Sequence, residues 1–190
     1  MTPTNNITGL ILAGGKGQRV GNRDKGLILL KSKPLIAHVS DRLLPQVGEL
    51  LISCNRNFSR YKNFASQTVA DTRRDFQGPL AGMEAAYPYI QTEFLVVVGC
   101  DMPHLPPDLV SRLTTPLVDG GDSLPDISYA HDGVRQQYLC AAIRRDCLAS
   151  LTGFLDAGHR AVRDWYYTRA CVIVDFSDQR SGFKNYNELS

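Results

Sequence analysis

Residues 7–26 read ITGLILAGGKGQRVGNRDKG. An apolar run ends abruptly at Ala13, and glycines then alternate with charges as far as Gly26, with no aromatic among them. Apolar residues on successive positions mark a strand covered on both faces, the pattern of a parallel sheet. The glycines let backbone N–H groups approach a ligand and form an anion-binding concavity, and Lys16, Arg19, Arg23 and Lys25 add positive charge. The stretch therefore reads as a buried strand running into a loop made for a phosphate chain. A surface loop of solvated charges is the alternative, but it leaves the agreement of glycines, cations and strand position to chance. Two common phosphate loops are excluded. Asp24-Lys25-Gly26 stands where a P-loop ends in Gly-Lys-Ser/Thr, and Val20 occupies the third glycine of G-x-G-x-x-G counted from Gly15.

Similar apolar runs recur along the chain at 50–54 (LLISC), 68–71 (TVAD), 94–100 (FLVVVGC), 137–143 (QYLCAAI) and 171–176 (CVIVDF). Helical patterns lie between them. Those at 34–47, 79–90 and 106–118 open on proline, which suits a first helical turn, and the one at 144–158 ends on a glycine cap. Strand and helix in alternation predict βαβ units and a mostly parallel sheet between helices. Ligands bind outside the carboxyl ends of such strands. The rule directs attention to residues 13–26, 54–57, 71–79 and 100–104. The segment 119–126 (DGGDSLPD) reads as a turn, and 131–143 as two strands around a turn at Asp132-Gly133.

Candidate chemistry sits at those edges. Asp101, just past the strand in VVVGCDMP, would be repelled by bound phosphates unless a cation intervened. Mg²⁺ takes one or two carboxylates and fills its remaining positions with water and phosphate oxygens, so Asp101 is the expected metal ligand; an aspartate capping a turn is the competing reading. Asp71 follows the third run, and Gly78-Pro79-Leu80-Ala81-Gly82 opens a helix whose free N–H groups favour an acceptor.

The loop LAGGKGQRVGNRDKG resembles the signature of nucleotidyltransferases of the sugar-nucleotide pyrophosphorylase type, and its L-A-G-G…R…G…D-K-G form is most similar to the molybdenum cofactor guanylyltransferases. Cys100-Asp101-Met102-Pro103 and Gly78-Pro79-Leu80-Ala81-Gly82 resemble that family's C-D-x-P and G-P-L-A-G segments. The resemblance runs in order over nearly the whole chain, closely over 8–105 and loosely after that. It implies an α/β fold: a Rossmann-like three-layer sandwich with a mostly parallel sheet, of the nucleotide-diphospho-sugar transferase type. It implies one domain over 1–190, with 1–105 binding the nucleotide and 106–190 the acceptor. The implied reaction transfers GMP from GTP to the phosphate of the molybdenum-pterin cofactor, with Mg²⁺ as cofactor. Leu12, Ala13, Gly14, Gly15, Asn55, Asp71 and Gly78 then belong to the nucleotide site. Lys25 reaches the phosphates, Arg19 and Lys25 stabilise charge on the leaving pyrophosphate, and Asp101 holds the metal. Cofactor-insertion proteins and molybdoenzymes follow as partners. Cytidylyl and sugar-phosphate transferases of the same fold remain open, as does a non-catalytic nucleotide-binding subunit.

The chain departs from the family pattern in places. Ser53 replaces the first asparagine of N-x-N-R, and Tyr138 stands where relatives usually place proline. Phe183, Asn185 and Asn187 match the terminal F-x-N-x-N, but the Thr-Pro that follows it is missing. Asn185 and Asn187 either face the acceptor or belong to a terminal turn. Arg160 and Arg163 either sit near the anionic pterin or decorate an amphipathic helix, while His131 and His159 read as structural. A net charge of +2 over 190 residues lacks the strong basic field of a nucleic-acid binder. No apolar stretch approaches a membrane span, and the start MTPTNNITGL lacks the features of a secretory signal. The expected protein is soluble and cytoplasmic, with no nucleic-acid or membrane partner. Its five cysteines, without C-x-x-C spacing, read as small buried hydrophobes in a reducing compartment.

Overall fold

The computed structural model describes residues 4–15, 24–75, 77–119 and 124–186. Its strands are β1 (Ile7–Leu12), β2 (Leu29–Leu30), β3 (Lys33–Pro34), β4 (Glu49–Ser53), β5 (Gln67–Val69), β6 (Phe94–Gly99), β7 (Ile127–His131), β8 (Gln136–Arg144) and β9 (Cys171–Asp175). The helices are α1 (Leu35–Leu43), α2 (Phe58–Tyr61), α3 (Pro79–Ala86), α4 (Leu109–Asp119), α5 (Leu151–Asp156) and α6 (Val162–Tyr166). Seven strands form one sheet in the order β5-β4-β1-β6-β8-β7-β9, and β2 and β3 pair separately as a short hairpin. Neighbours from β5 to β6 are parallel, and β8 alone runs against the rest.

Strand alternation sorts the core. Ile7 and Ile11 of β1 and Phe94, Val96 and Val98 of β6 face α1 and α4 through Ile36, Val39, Leu113 and Leu117. Leu10, Leu95 and Val97 face the other way, onto Leu80 and Met83 of α3, Leu151 and Leu155 of α5, and Trp165 of α6. The sandwich thus has the expected three layers. The chain moves outward from β1 to β4 and β5, then returns through α3 to β6 on the far side of β1. That reversal leaves a crevice at the carboxyl ends of β1, β4 and β6, the place where open α/β sheets bind ligands.

The second half is less regular. The pattern at 144–158 is not one helix: a 3-10 segment covers Arg145–Ser150 and α5 only Leu151–Asp156. Gly158 does end it at a positive φ of 88°. The amphipathic pattern around Trp165 shrinks to α6. The β7–β8 hairpin turns at Asp132-Gly133 as expected: Asp132 accepts from the N–H groups of Val134 and Arg135 at 2.8 Å each, and Gly133 takes a φ of 87°. Where Tyr129 meets Ala141, the next β7 residue, Ala130, meets Gln137, so β8 bulges over residues 138–140. Pairing of β6 with β8 stops at Val97–Ala141. The sheet therefore parts just where β6 delivers Asp101.

The five cysteines are all free thiols, four of them buried. Among the described residues no helix is long and apolar enough to cross a membrane.

Candidate active site

The crevice is a cavity of about 330 Å³ lined by Leu12, Ala13, Gly14 and Gly15 from the end of β1, Lys25, Ser53, Asp71, the α3 start at Gly78, Pro79 and Gly82, Gly99, Cys100 and Asp101 past β6, and Leu139 from the β8 bulge. Eight residues singled out in the sequence meet here: Leu12, Ala13, Gly14, Gly15, Lys25, Asp71, Gly78 and Asp101. Arg19 and Asn187 lie outside the described residues.

Lys25 and Asp101, 76 positions apart, form an ion pair in the cavity wall. Asp24, next to Lys25, is turned away from the cavity. The Tyr61 hydroxyl and the Asn57 side-chain amide (2.9 Å) donate to its carboxylate, and Arg56 lies 3.7 Å from it. These partners hold the Asp24 carboxylate on the side away from Lys25's ion pair. Tyr61 is fully buried, and nothing in the sequence marked it.

Asn55 does not line the cavity. Its Nδ2 donates to Asp71 Oδ2 at 2.8 Å and to the Gly14 carbonyl at 3.3 Å, while its Oδ1 accepts from the Asp71 N–H at 2.9 Å. Both amide hydrogens are thus spent inside the protein. Asn55 is a clasp joining the ends of β1, β4 and β5, not a free ligand group.

Asp71 is held by this clasp through one oxygen. The other, Oδ1, is buried and has no hydrogen-bond partner among the described residues. Burial pushes the Asp71 carboxyl above its usual range, partly offset by Asn55 and Ser53. A buried acceptor without a donor costs free energy, and a ligand N–H would relieve it.

The α3 start is shaped by glycines. Gly78 has a φ of 87°, and a Cβ on Gly82 would sit 2.6 Å from Ser53 Oγ and 2.9 Å from Leu12 Cδ2. The loop between Asp71 and Gly78 is braced: Arg73 donates to Glu84 at 2.6 and 2.8 Å and to Asp156 at 2.8 Å. Arg160 is bound to Gln77 and to the carbonyls of Leu155 and His159, so it helps hold this loop instead of standing as a spare cation.

The C-terminal segment returns to the site. The Tyr186 N–H donates to the Asp101 carbonyl at 2.7 Å, which brings Asn185 beside the metal candidate. His131 accepts from the Gly133 N–H through Nδ1, and His159 packs on Phe154 with ring centroids 4.9 Å apart. Burial pushes the Cys54 and Cys100 thiols up to about 12, so neither is a thiolate nucleophile at neutral pH.

Residues 9–171 match the family model of the MobA-like NTP transferase domain. The chain belongs to this family. The molybdenum cofactor guanylyltransferase of Shewanella sediminis (strain HAW-EB3) is 42% identical over 181 residues, covering 95% of this chain and 91% of that protein. The protein of the same name from Shewanella halifaxensis (strain HAW-EB4) is 40% identical over 184 residues, covering 97% and 90%. In structure, molybdopterin-guanine dinucleotide biosynthesis protein A from Archaeoglobus fulgidus superposes with a TM-score of 0.75 at 22% identity, covering 95% of this chain and 92% of that one. At that identity the likeness establishes the MobA-type fold.

The site holds several residues that sequence reading did not select: Cys100, Pro79, Gly82, Gly99 and Leu139. Four of them adjoin selected residues or share their motifs. Leu139 gave no signal, because only the bulge in β8 turns it toward the cavity.

Proposed function

We propose that this MobA-like transferase is a molybdenum cofactor guanylyltransferase that moves GMP from GTP to the phosphate of the molybdenum-pterin cofactor. The observation that carries this reading is a cavity with two chemically different ends. The Lys25–Asp101 pair lies at one, and the unpartnered Asp71 oxygen at the other. A triphosphate suits the first end. Guanine suits the second, since its N1–H and N2–H groups offer adjacent donors to a carboxylate, whereas cytosine offers only its amino group. Leu12, Ala13, Gly14, Gly15 and Gly78 form the wall along which the nucleotide lies.

The acceptor's phosphate oxygen attacks the α-phosphorus. A P–O bond forms there, the bond to the oxygen bridging the α- and β-phosphorus breaks, and pyrophosphate leaves with that electron pair. No general base is needed, because the attacking phosphate is ionised at pH 7. The protein contributes positioning and charge neutralisation. Lys25 and Arg19 take the charge that builds on pyrophosphate. No group of three metal-ligating side chains occurs among the described residues. A single carboxylate fits Mg²⁺ here because nucleotide phosphates and water fill its other positions. Asp101 would hold the ion, which supplies neutralisation of phosphate oxygens and alignment of the attack.

In this reading residues 1–105 bind the nucleotide and 106–190 the acceptor, with Asn185 and Asn187 on the acceptor side. The product passes to cofactor-insertion proteins and molybdoenzymes in the cytoplasm. The test is pyrophosphate release with each of the four nucleoside triphosphates, with and without the pterin cofactor. Release with GTP that depends on the pterin supports the assignment. A preference for CTP moves the protein to the cytidylyl transferases.

A further inference from the structure

In-line displacement fixes where the acceptor must enter. On the reading above, the base lies toward Asp71, Ser53 and the α3 start, and the leaving group lies toward Lys25. The wall left for the attacking phosphate is that of Leu139, on the β8 bulge. What lies beyond Leu139 on that side is aromatic.

Alternation along a regular strand would send Tyr138 and Leu139 to opposite faces. The bulge removes that constraint, and both residues pack on the sheet face that carries α3 and α6. Tyr138 joins a cluster with Tyr129 and Tyr166, at ring-centroid distances of 5.1 Å to Tyr129 and 6.2 Å to Tyr166. The Tyr166 hydroxyl donates to the Tyr138 carbonyl at 2.9 Å, which fixes the bulge. The outer edge of the cluster is Tyr167, which follows α6. Its hydroxyl lies 3.1 Å from that of Tyr138, which also bonds to Gln136, and 59% of its surface is exposed. Arg163 of α6 interacts electrostatically with both phenols and also pairs with Asp164 at 3.0 Å. An exposed ring held by a hydroxyl contact to a packed neighbour loses little freedom when a ligand covers it.

We propose that Tyr167, backed by Tyr138, is the platform on which the flat pyrimidine ring of the acceptor's pterin stacks, so that its phosphate reaches the α-phosphorus past Leu139. The assignment rests on the guanylyl-transfer reading above. It also explains the use of a tyrosine at position 138, where the family pattern has proline, since the Tyr138 hydroxyl sets the angle of the exposed ring. Arg163 beside the platform suits an anionic acceptor.

The test measures KM for GTP and for the molybdenum-pterin cofactor separately. Quenching of pterin-6-carboxylate fluorescence reports binding without turnover, and a melting curve reports folding. Tyr167→Ala removes the platform and should raise the acceptor KM about tenfold, as loss of one base–aromatic stack does, while GTP KM and melting temperature hold. Tyr167→Phe keeps the ring and should stay within about twofold of the parent, because stacking needs the face and not the hydroxyl. Tyr138→Phe should fall between them. Pterin quenching should be lost in Tyr167→Ala and kept in Tyr167→Phe. An acceptor KM unchanged in Tyr167→Ala, or one that rises together with the GTP KM, would overturn the platform while the parent still transfers GMP. A parent that transfers no GMP to the pterin overturns the guanylyl reading itself, and that result is seen before any variant is made.

Discussion

The sheet has two halves built on different terms. From β5 to β6 all strands run one way, the connections are helical, and every carboxyl end opens on the same crevice. From β8 to β9 the order is mixed, a hairpin replaces a crossover, and β8 bulges. The first half is a repeated solution to a repeated problem: a βαβ unit covers both faces of each strand and exposes one loop end. The second half closes the sheet and presents side chains by local irregularity. The regular half lines the crevice with backbone and glycine from the ends of its strands. The irregular half brings tyrosines and a displaced leucine together at the bulge in β8.

Substitutions can break or sharpen this contrast. The largest effect is expected at Asp101. Asp101→Asn keeps the size but loses the charge a hard cation needs, and turnover should fall at least ~100-fold, comparable to removing one transition-state donor. The melting temperature should hold or fall slightly, because the variant gives up the ion pair to Lys25. Near-parental turnover with an unchanged Mg²⁺ titration would place the metal elsewhere. Lys25→Ala comes next: GTP affinity should drop about 10- to 100-fold, the range for a charged hydrogen bond, with the fold intact by circular dichroism. An unfolded variant would mean that the lysine serves the architecture.

Asp71→Asn should reduce the preference for GTP over CTP about tenfold, because an amide cannot accept from two adjacent donors as a carboxylate does. It also carries a pH signature. The folded carboxyl titrates above the unfolded value of 3.8, so the folded state binds the proton more tightly. Stability from this group is therefore complete below that value and is lost as pH rises through the folded one. At neutral pH Asp71→Asn should melt at or above the parent's temperature, and the gain should vanish in acid. A variant that is less stable at pH 7 would contradict the strained carboxylate. The smallest functional effect belongs to the irregular half. Gly133→Ala puts a Cβ on a residue with a left-handed φ of 87° and 2.9 Å from Ser177 Cβ, costing at least about 1–2 kcal/mol of stability, yet GTP affinity by calorimetry should not move. A shift in GTP affinity would mean that the two halves are coupled.

The same contrast governs what the sequence disclosed. Runs such as FLVVVGC announce a strand buried on both faces, and the residue after each run falls at the ligand edge by topology alone. Asp71 and Asp101 were legible for that reason, and Lys25 through the glycines and cations of the loop after β1. Asn55 was legible by its place after β4 but not as a clasp, since its partners Gly14 and Asp71 follow β1 and β5. Tyr61 reads as one more aromatic until Asp24 is seen beneath its hydroxyl. Leu139 and the tyrosine cluster were hidden, because a bulge is set by pairing between strands and leaves no periodic trace. The helix expected over 144–158 divided because Arg145–Ser150 winds as 3-10 before α5 begins.

The ammonium of Lys25 and the carboxylate of Asp101 are held against each other in the wall of the crevice. On the proposed reading, a triphosphate competes with Asp101 for the ammonium, and a cation competes with Lys25 for the carboxylate. Each newcomer frees the group the other requires. Thermodynamic reciprocity then fixes the outcome: whatever factor the divalent ion adds to the affinity for nucleotide, the nucleotide adds to the affinity for the ion. On the proposed reading, the two ligands therefore favour each other's binding.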